Sequence, residues 1–168
     1  MTNALEDVLS AESDETLVRA GDYRVVTAGE SLYAYGLGAS VAIAICGPDS
    51  MGGLAHALLS RPDGSMRRGA GTFVESAIRV MLRELIEAGA GYGSCEAKLA
   101  GGATVFQLEG LDPDTGDRTV ATARQELSAL DVPVVASAIG GQRGRCVAFD
   151  TAENVLTVAT SDGESTRL

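Results

Sequence analysis

Residues 36–59 read GLGASVAIAICGPDSMGGLAHALL. After a glycine turn, Val41 to Cys46 forms an unbroken apolar, partly β-branched run, bounded by Gly38 before it and Gly47-Pro48 after it. A run this short and this rich in Val and Ile suits a strand buried on both faces. Gly47-Pro48-Asp49-Ser50 is turn chemistry: proline presets its φ, and Asp and Ser bond their own backbone. Gly53 to Leu59 then returns as a second apolar strand. The stretch therefore predicts a hairpin that folds His56, on the returning strand, back beside Ser40, at the entry of the first.

Outward from this hairpin the chain alternates short strands and two amphipathic helices. Arg24 to Thr27 reads as a strand. Arg61 to Gly71 is polar and glycine-rich, a loop. Thr72 with Glu75 three residues on has the form of a capping box. Phe73, Ala77, Met81 and Leu85, with Ile78, Leu82 and Ile86, then make one apolar stripe at helical spacing, which Gly89 and Gly91 end. Cys95 to Leu99 reads as a strand running into Gly101-Gly102. Leu111 to Gly116 is a polar loop, and Arg118 to Leu130 a second helix. Val132 to Ala138, Arg145 to Phe149 and Val155 to Thr160 close the chain as strands. With no internal repeat and no linker, this predicts one α+β domain of about seven strands and two main helices. Residues 1–20 read as an acidic leader, 21–162 as the domain and 163–168 as a tail.

Composition narrows the function. Hydrophobic residues make up 45% of the 168 and charged residues 21%, a balance that can bury one core. Asp plus Glu is 23 against 13 Lys plus Arg, for a formal charge of −10. That field repels nucleic acid and anionic lipid, so no nucleic-acid binding is expected. Lys98 is the single lysine. Carboxylate surplus, scarce lysine and abundant Ala and Gly give a halophile-like composition, although a GC-rich genome produces the Arg and Ala bias by itself. The N-terminus, with Glu6, Asp7, Glu12, Asp14 and Glu15, is the opposite of a basic signal start. The longest apolar run is far too short to span a bilayer. Cys46, Cys95 and Cys146 are odd in number and widely spaced, which suits reduced thiols in a cytoplasm.

The residue inventory also restricts the chemistry. With one His in the chain, any imidazole chemistry runs through His56, and a His-rich metal site is excluded. No metal or cofactor is expected. Gly36-Leu37-Gly38-Ala39-Ser40 fails as a dinucleotide fingerprint, because the third glycine falls at Val41 and a strand follows in place of a helix. A glycine turn ending in a hydroxyl can instead present a nucleophile. Gly101-Gly102 and Gly140-Gly141, at strand ends, are either plain turns or places where backbone N–H groups approach a developing oxyanion.

Three ordered blocks carry a resemblance. Gly36 to Ile43 with Pro48 and Gly52-Gly53-Leu54-Ala55-His56, then Ala97 to Phe106, then Gly140-Gly141-Gln142-Arg143-Gly144-Arg145, are similar to the glycine blocks of the chemoreceptor glutamine deamidases of the CheD family. The match is collinear from about Tyr23 to Val158. It implies a β-sandwich-like core flanked by helices, related to bacterial toxin deamidases. It also implies hydrolysis of glutamine side-chain amides on methyl-accepting chemotaxis receptors in the cytoplasm, with no cofactor. In that pattern a cysteine thiolate at the end of the glycine turn attacks the amide, a His one hairpin strand later moves the proton, and a threonine shortly before the cysteine supports the site.

The chain departs from the pattern at two of these positions. Ser40 stands at the nucleophile and Ala34 at the threonine, while His56 is retained. The catalytic candidates are thus Ser40 and His56, with Gly38, Gly101 and Gly102 as oxyanion or backbone support. Cys46 is no substitute, since six extended residues place it roughly 20 Å from Ser40. Two readings stay open: a receptor deamidase, or a non-catalytic paralogue that binds receptors or a CheC-type phosphatase.

Overall fold

The expected hairpin is the centre of the molecule. In the computed structural model, which describes residues 17–59, 69–104 and 112–168, β3 (Val41–Cys46) and β4 (Gly52–Ala57) pair antiparallel with Val41 opposite Ala57 and Ala42 opposite His56. Asp49 and Ser50 take left-handed φ of 53° and 62° at the turn, the conformation short polar residues tolerate best after glycine. The strands around this pair are β1 (Tyr23–Val26), β2 (Ser31–Leu37), β5 (Glu96–Gly101), β6 (Val134–Ile139), β7 (Arg145–Asp150), β8 (Val155–Thr160) and β9 (Ser165–Arg167); the helices are α1 (Val74–Glu87) and α2 (Thr115–Ala129).

Two sheets form. One has the order β1-β4-β3-β5-β6, the other β2-β7-β8-β9. All neighbouring pairs are antiparallel except β5 and β6. Every residue of β3 is buried, because it has a layer on each side. Val41, Ile43 and Ile45 pack with Ile78, Met81 and Leu85 of α1 and Val120 and Leu127 of α2. The alternate residues, Ala42, Ala44 and Cys46, face Leu32, Phe149 and Leu156 of the other sheet. Small side chains on β3 against large ones opposite let the sheets interdigitate; a Cβ at Gly52 would lie 2.9 Å from the Phe149 ring. Helices, five strands and four strands thus stack in three layers, an α+β domain with a sandwich-like core.

Several boundaries differ from the sequence reading. Nine strands stand among the described residues, because β2 and β9 add to the seven expected. Strand β2 was hidden by its glycine-bearing end, although Leu32 and Ala34 point inward and Tyr33 and Tyr35 outward at strand period. Strand β9 lies in the segment read as a tail and pairs with β8. The capping box does not form: Phe73 is the N-cap of α1, without a side-chain cap bond. Thr72 works in tertiary contacts instead, its carbonyl accepting from the amides of Leu58 and Leu59. Gly89 does end α1, at φ 111°. Helix α2 starts at Thr115, so Thr115 and Gly116 are helical where a loop was expected. An Asx turn leads into it, the Asp112 carboxylate accepting from the amide of Asp114, the N-cap, at 2.9 Å.

The acidic leader lies outside the described residues except for 17–20. There Leu17 bridges Tyr33 and Val18 is buried between the sheets. Most of the 61–71 loop, and the Val105-Phe106 end of the second glycine block, also lie outside them. Among the described residues no helix is long and apolar enough to cross a membrane.

Candidate active site

The chain changes sheets between β2 and β3. Leu37 is the last residue of β2 and Val41 the first of β3, so Gly38, Ala39 and Ser40 form the crossing. Two hydrogen bonds from the end of β5 hold this bend: the Gly102 N–H donates to the Ser40 carbonyl at 2.9 Å, and the Ala103 N–H to the Gly38 carbonyl at 2.8 Å. The Ser40 side chain points back along the hairpin, and its Oγ lies 2.8 Å from Nε2 of His56. The fold-back of β4 on β3 thus brings together the two residues read as a catalytic pair.

His56 reaches Ser40 from inside the sandwich. It shares a face of β4 with Leu54, which lies between the sheets. Its backbone is held on the other side by Asp22, whose carbonyl accepts the His56 N–H at 3.0 Å. His56 is 2% exposed and Ser40 8%. Burial pushes the imidazole pKa down to about 4, so the ring is neutral at physiological pH. A neutral imidazole can accept a proton, which is the state a general base requires.

The ring has one polar partner where a serine triad supplies two. Nδ1 of His56 is buried without a hydrogen-bond partner among the described residues. For Nε2 to accept the Ser40 proton, Nδ1 must carry the ring's hydrogen. An N–H buried with no acceptor costs about 1–3 kcal/mol. The other tautomer, with Nε2–H donating to Oγ, leaves Nδ1 a buried unpaired acceptor instead and is not a base towards Ser40. In a Ser-His-Asp site the carboxylate selects the useful tautomer. Ala34, fully buried in the layer between the sheets, carries a methyl with no side-chain polar atom.

The expected glycines meet at this bend in distinct ways. Gly101, at φ 112°, abuts Ser40 so closely that a Cβ would sit 2.3 Å from the Ser40 carbonyl oxygen. Gly102, at φ 64°, is confined by Val120, 2.5 Å from where its Cβ would be. Its amide is committed to the Ser40 carbonyl, so of the two roles expected for Gly102 it has the geometry of backbone support. Gly38 contributes its carbonyl to the bend. The third glycine block arrives too: the Gly140 N–H donates to the Gly101 carbonyl at 3.0 Å, and the Thr104 N–H to the Gly141 carbonyl at 2.9 Å. Three segments far apart in sequence thus close around Ser40.

One member of that third block has a contact its sequence position did not signal. The Arg145 guanidinium donates from Nη2 to the Gly140 carbonyl at 2.7 Å and from Nη1 to the Gly101 carbonyl at 3.5 Å. The cysteines are elsewhere. Cys46 lies at the far end of β3, its thiol pushed up to about 11 by burial, and Cys95 and Cys146 are likewise buried and raised. None has the thiolate character of a nucleophile. Among the described residues no three His, Cys, Asp or Glu side chains gather as metal ligands would.

Comparison with known proteins gives one consistent family. The family model described as CheD chemotactic sensory transduction matches residues 58–160, starting just beyond His56. A protein of Natronomonas pharaonis named "Probable chemoreceptor glutamine deamidase CheD" is 39% identical over 165 residues, covering 95% of this chain and 98% of the relative. One from Geobacter metallireducens, "Probable chemoreceptor glutamine deamidase CheD 2", is 37% identical over 84% of this chain and 90% of its own length. One from Pyrococcus abyssi, named as the first is, is 36% identical over 81% of this chain and 85% of the relative.

Proposed function

The chain belongs to the CheD family, and on that premise we propose that it is a chemoreceptor glutamine deamidase with Ser40 in the nucleophile's place. The observation that carries this is the 2.8 Å contact between Ser40 Oγ and His56 Nε2 at the end of a glycine bend. In this reaction Ser40 Oγ attacks the amide carbon of a glutamine side chain while its proton passes to His56 Nε2. The tetrahedral adduct collapses as His56 returns the proton to the departing nitrogen, releasing ammonia and leaving a glutamyl ester on Ser40. Water, deprotonated by His56, cleaves the ester to glutamate and frees the serine. No cofactor enters these steps. The substrates are the cytoplasmic portions of methyl-accepting chemotaxis receptors, which places the protein in the cytoplasm.

A second reading is favoured by the unpartnered Nδ1 and by Ala34: a paralogue whose fold is kept for binding, to receptors or to a CheC-type phosphatase. One experiment separates the two. The full chain is incubated with receptor cytoplasmic fragments at several salt concentrations, and peptides are searched by mass spectrometry for glutamine converted to glutamate. Conversion that Ser40→Ala and His56→Ala abolish supports the deamidase. Fragment binding without conversion supports the paralogue.

A further inference from the structure

We infer that Arg145 is a positioning residue which, through the peptide of Gly101, holds Ser40 within hydrogen-bonding range of His56. This rests on the reading of Ser40 and His56 as the reacting pair.

Arg145 touches the Ser40 bend from both ends. Its backbone, at the start of β7, is paired with Leu37, the last residue of β2 before the crossing, next to a register irregularity between Ala34 and Leu37. Its guanidinium reaches the other end, donating to the carbonyls of Gly140 and Gly101. The Gly101 carbonyl also accepts the Gly140 N–H, so that peptide is pinned from one side by Arg145 and Gly140. Its other side bears on Ser40, close enough that the Gly101 Cα leaves no room for a Cβ, and the next amide, of Gly102, holds the Ser40 carbonyl. Displacing Gly101 therefore displaces the backbone that aims Oγ.

The charge on Arg145 makes an accidental contact an unsatisfying account. The side chain is half-buried, and burial lowers its pKa. Among the described residues no carboxylate pairs with it; Asp162 and Glu164, on the neighbouring turn, are taken by Arg143. A desolvated cation without a counter-ion is costly. What it supplies in return is a planar fork whose two nitrogens reach two carbonyls on different segments at once. A lysine ammonium, a single point at the end of a flexible stem, does not reproduce that geometry.

His56 is the sole imidazole, so nitrogen-15 labelling of histidine in the full chain gives one pair of ring signals to follow. The variants are Arg145→Lys, Arg145→Ala, Ser40→Ala as the reference for a lost contact, and Ile78→Val as a core change in the helix layer. The expected result is that Arg145→Lys and Arg145→Ala move the His56 Nε2 shift more than half of the way to its value in Ser40→Ala, while Ile78→Val leaves it in place. In the deamidation assay kcat falls about tenfold or more with KM nearly unchanged, and millimolar methylguanidine returns part of the loss in Arg145→Ala. A wild-type His56 shift in folded Arg145→Lys overturns the inference, as does an equal displacement in Ile78→Val. If Arg145→Ala does not fold, Arg145→Lys decides. If even the unaltered chain deamidates no receptor fragment, the deamidase reading falls, and the ring shifts alone decide the role of Arg145.

Discussion

Ser40 Oγ and His56 Nε2 are 2.8 Å apart, yet among the described residues the same ring's other nitrogen is buried with no partner. The pair is assembled, but no described residue fixes its tautomer.

Restoring the two departed positions should therefore act in steps. Ser40→Cys is expected to raise deamidation about 10- to 100-fold, because a thiol beside an imidazole forms the nucleophilic thiolate at neutral pH more readily than a serine forms an alkoxide. Adding Ala34→Thr should raise it further if the hydroxyl reaches Nδ1. Initial rates on one receptor fragment, with His56→Ala in each background as the inactive control, measure both. A serine enzyme that Ser40→Cys does not improve would show that Ser40 is not a weakened nucleophile.

The lowered His56 pKa has a definite sign in stability. In the folded chain the ring protonates near pH 4, against about 6.5 unfolded, so between these values the unfolded state binds the extra proton. Stability from this group is fully present above about pH 6.5 and is lost as pH falls towards 4, by about 3 kcal/mol in all. Denaturant unfolding should show the wild type losing about 3 kcal/mol more than His56→Gln between pH 6.5 and 4. Titration of the single imidazole signal should give its midpoint near 4, and a midpoint near 6.5 would contradict the buried placement.

Two glycines of left-handed φ should respond very differently to alanine. At Gly101 the added Cβ meets the Ser40 carbonyl at 2.3 Å, whereas at Gly140 no described residue lies within 4 Å. Gly140→Ala should cost about 1 kcal/mol, the conformational penalty alone. Gly101→Ala should cost roughly 3 kcal/mol or more and abolish any activity, since backbone must move. Chemical denaturation of the two variants compares them directly.

Lys98 offers a test away from the site. It is buried between the sheets on β5, and its Nζ donates to the carbonyls of Asn154 and Leu168, the latter at 3.0 Å. Lys98→Met keeps the stem but leaves both carbonyls without that donor, an expected loss of about 2 kcal/mol. Unfolding midpoints in denaturant read it, and amide exchange should quicken first at β9, which the contact ties to the five-stranded sheet.

The sequence alone determined the hairpin and the helices, because each is a local signal. Val41 to Cys46 could bury both faces only as a central strand, and the α1 stripe repeats at helical period. Other features needed the tertiary structure. Strand β2 carries the inward alternation of Leu32 and Ala34, but its Tyr-Gly end looks like a turn until β7 pairs with it. Thr72 has a cap's sequence, yet its carbonyl is claimed by Leu58 and Leu59, a competition invisible along the chain. The same holds for Gly101, Gly102 and Arg145, whose parts depend on how closely distant backbones approach Ser40. Periodicity and turn chemistry are written in neighbouring residues. Which donor meets which carbonyl, and whether His56 Nδ1 finds a partner, is settled only when segments a hundred residues apart close on one another.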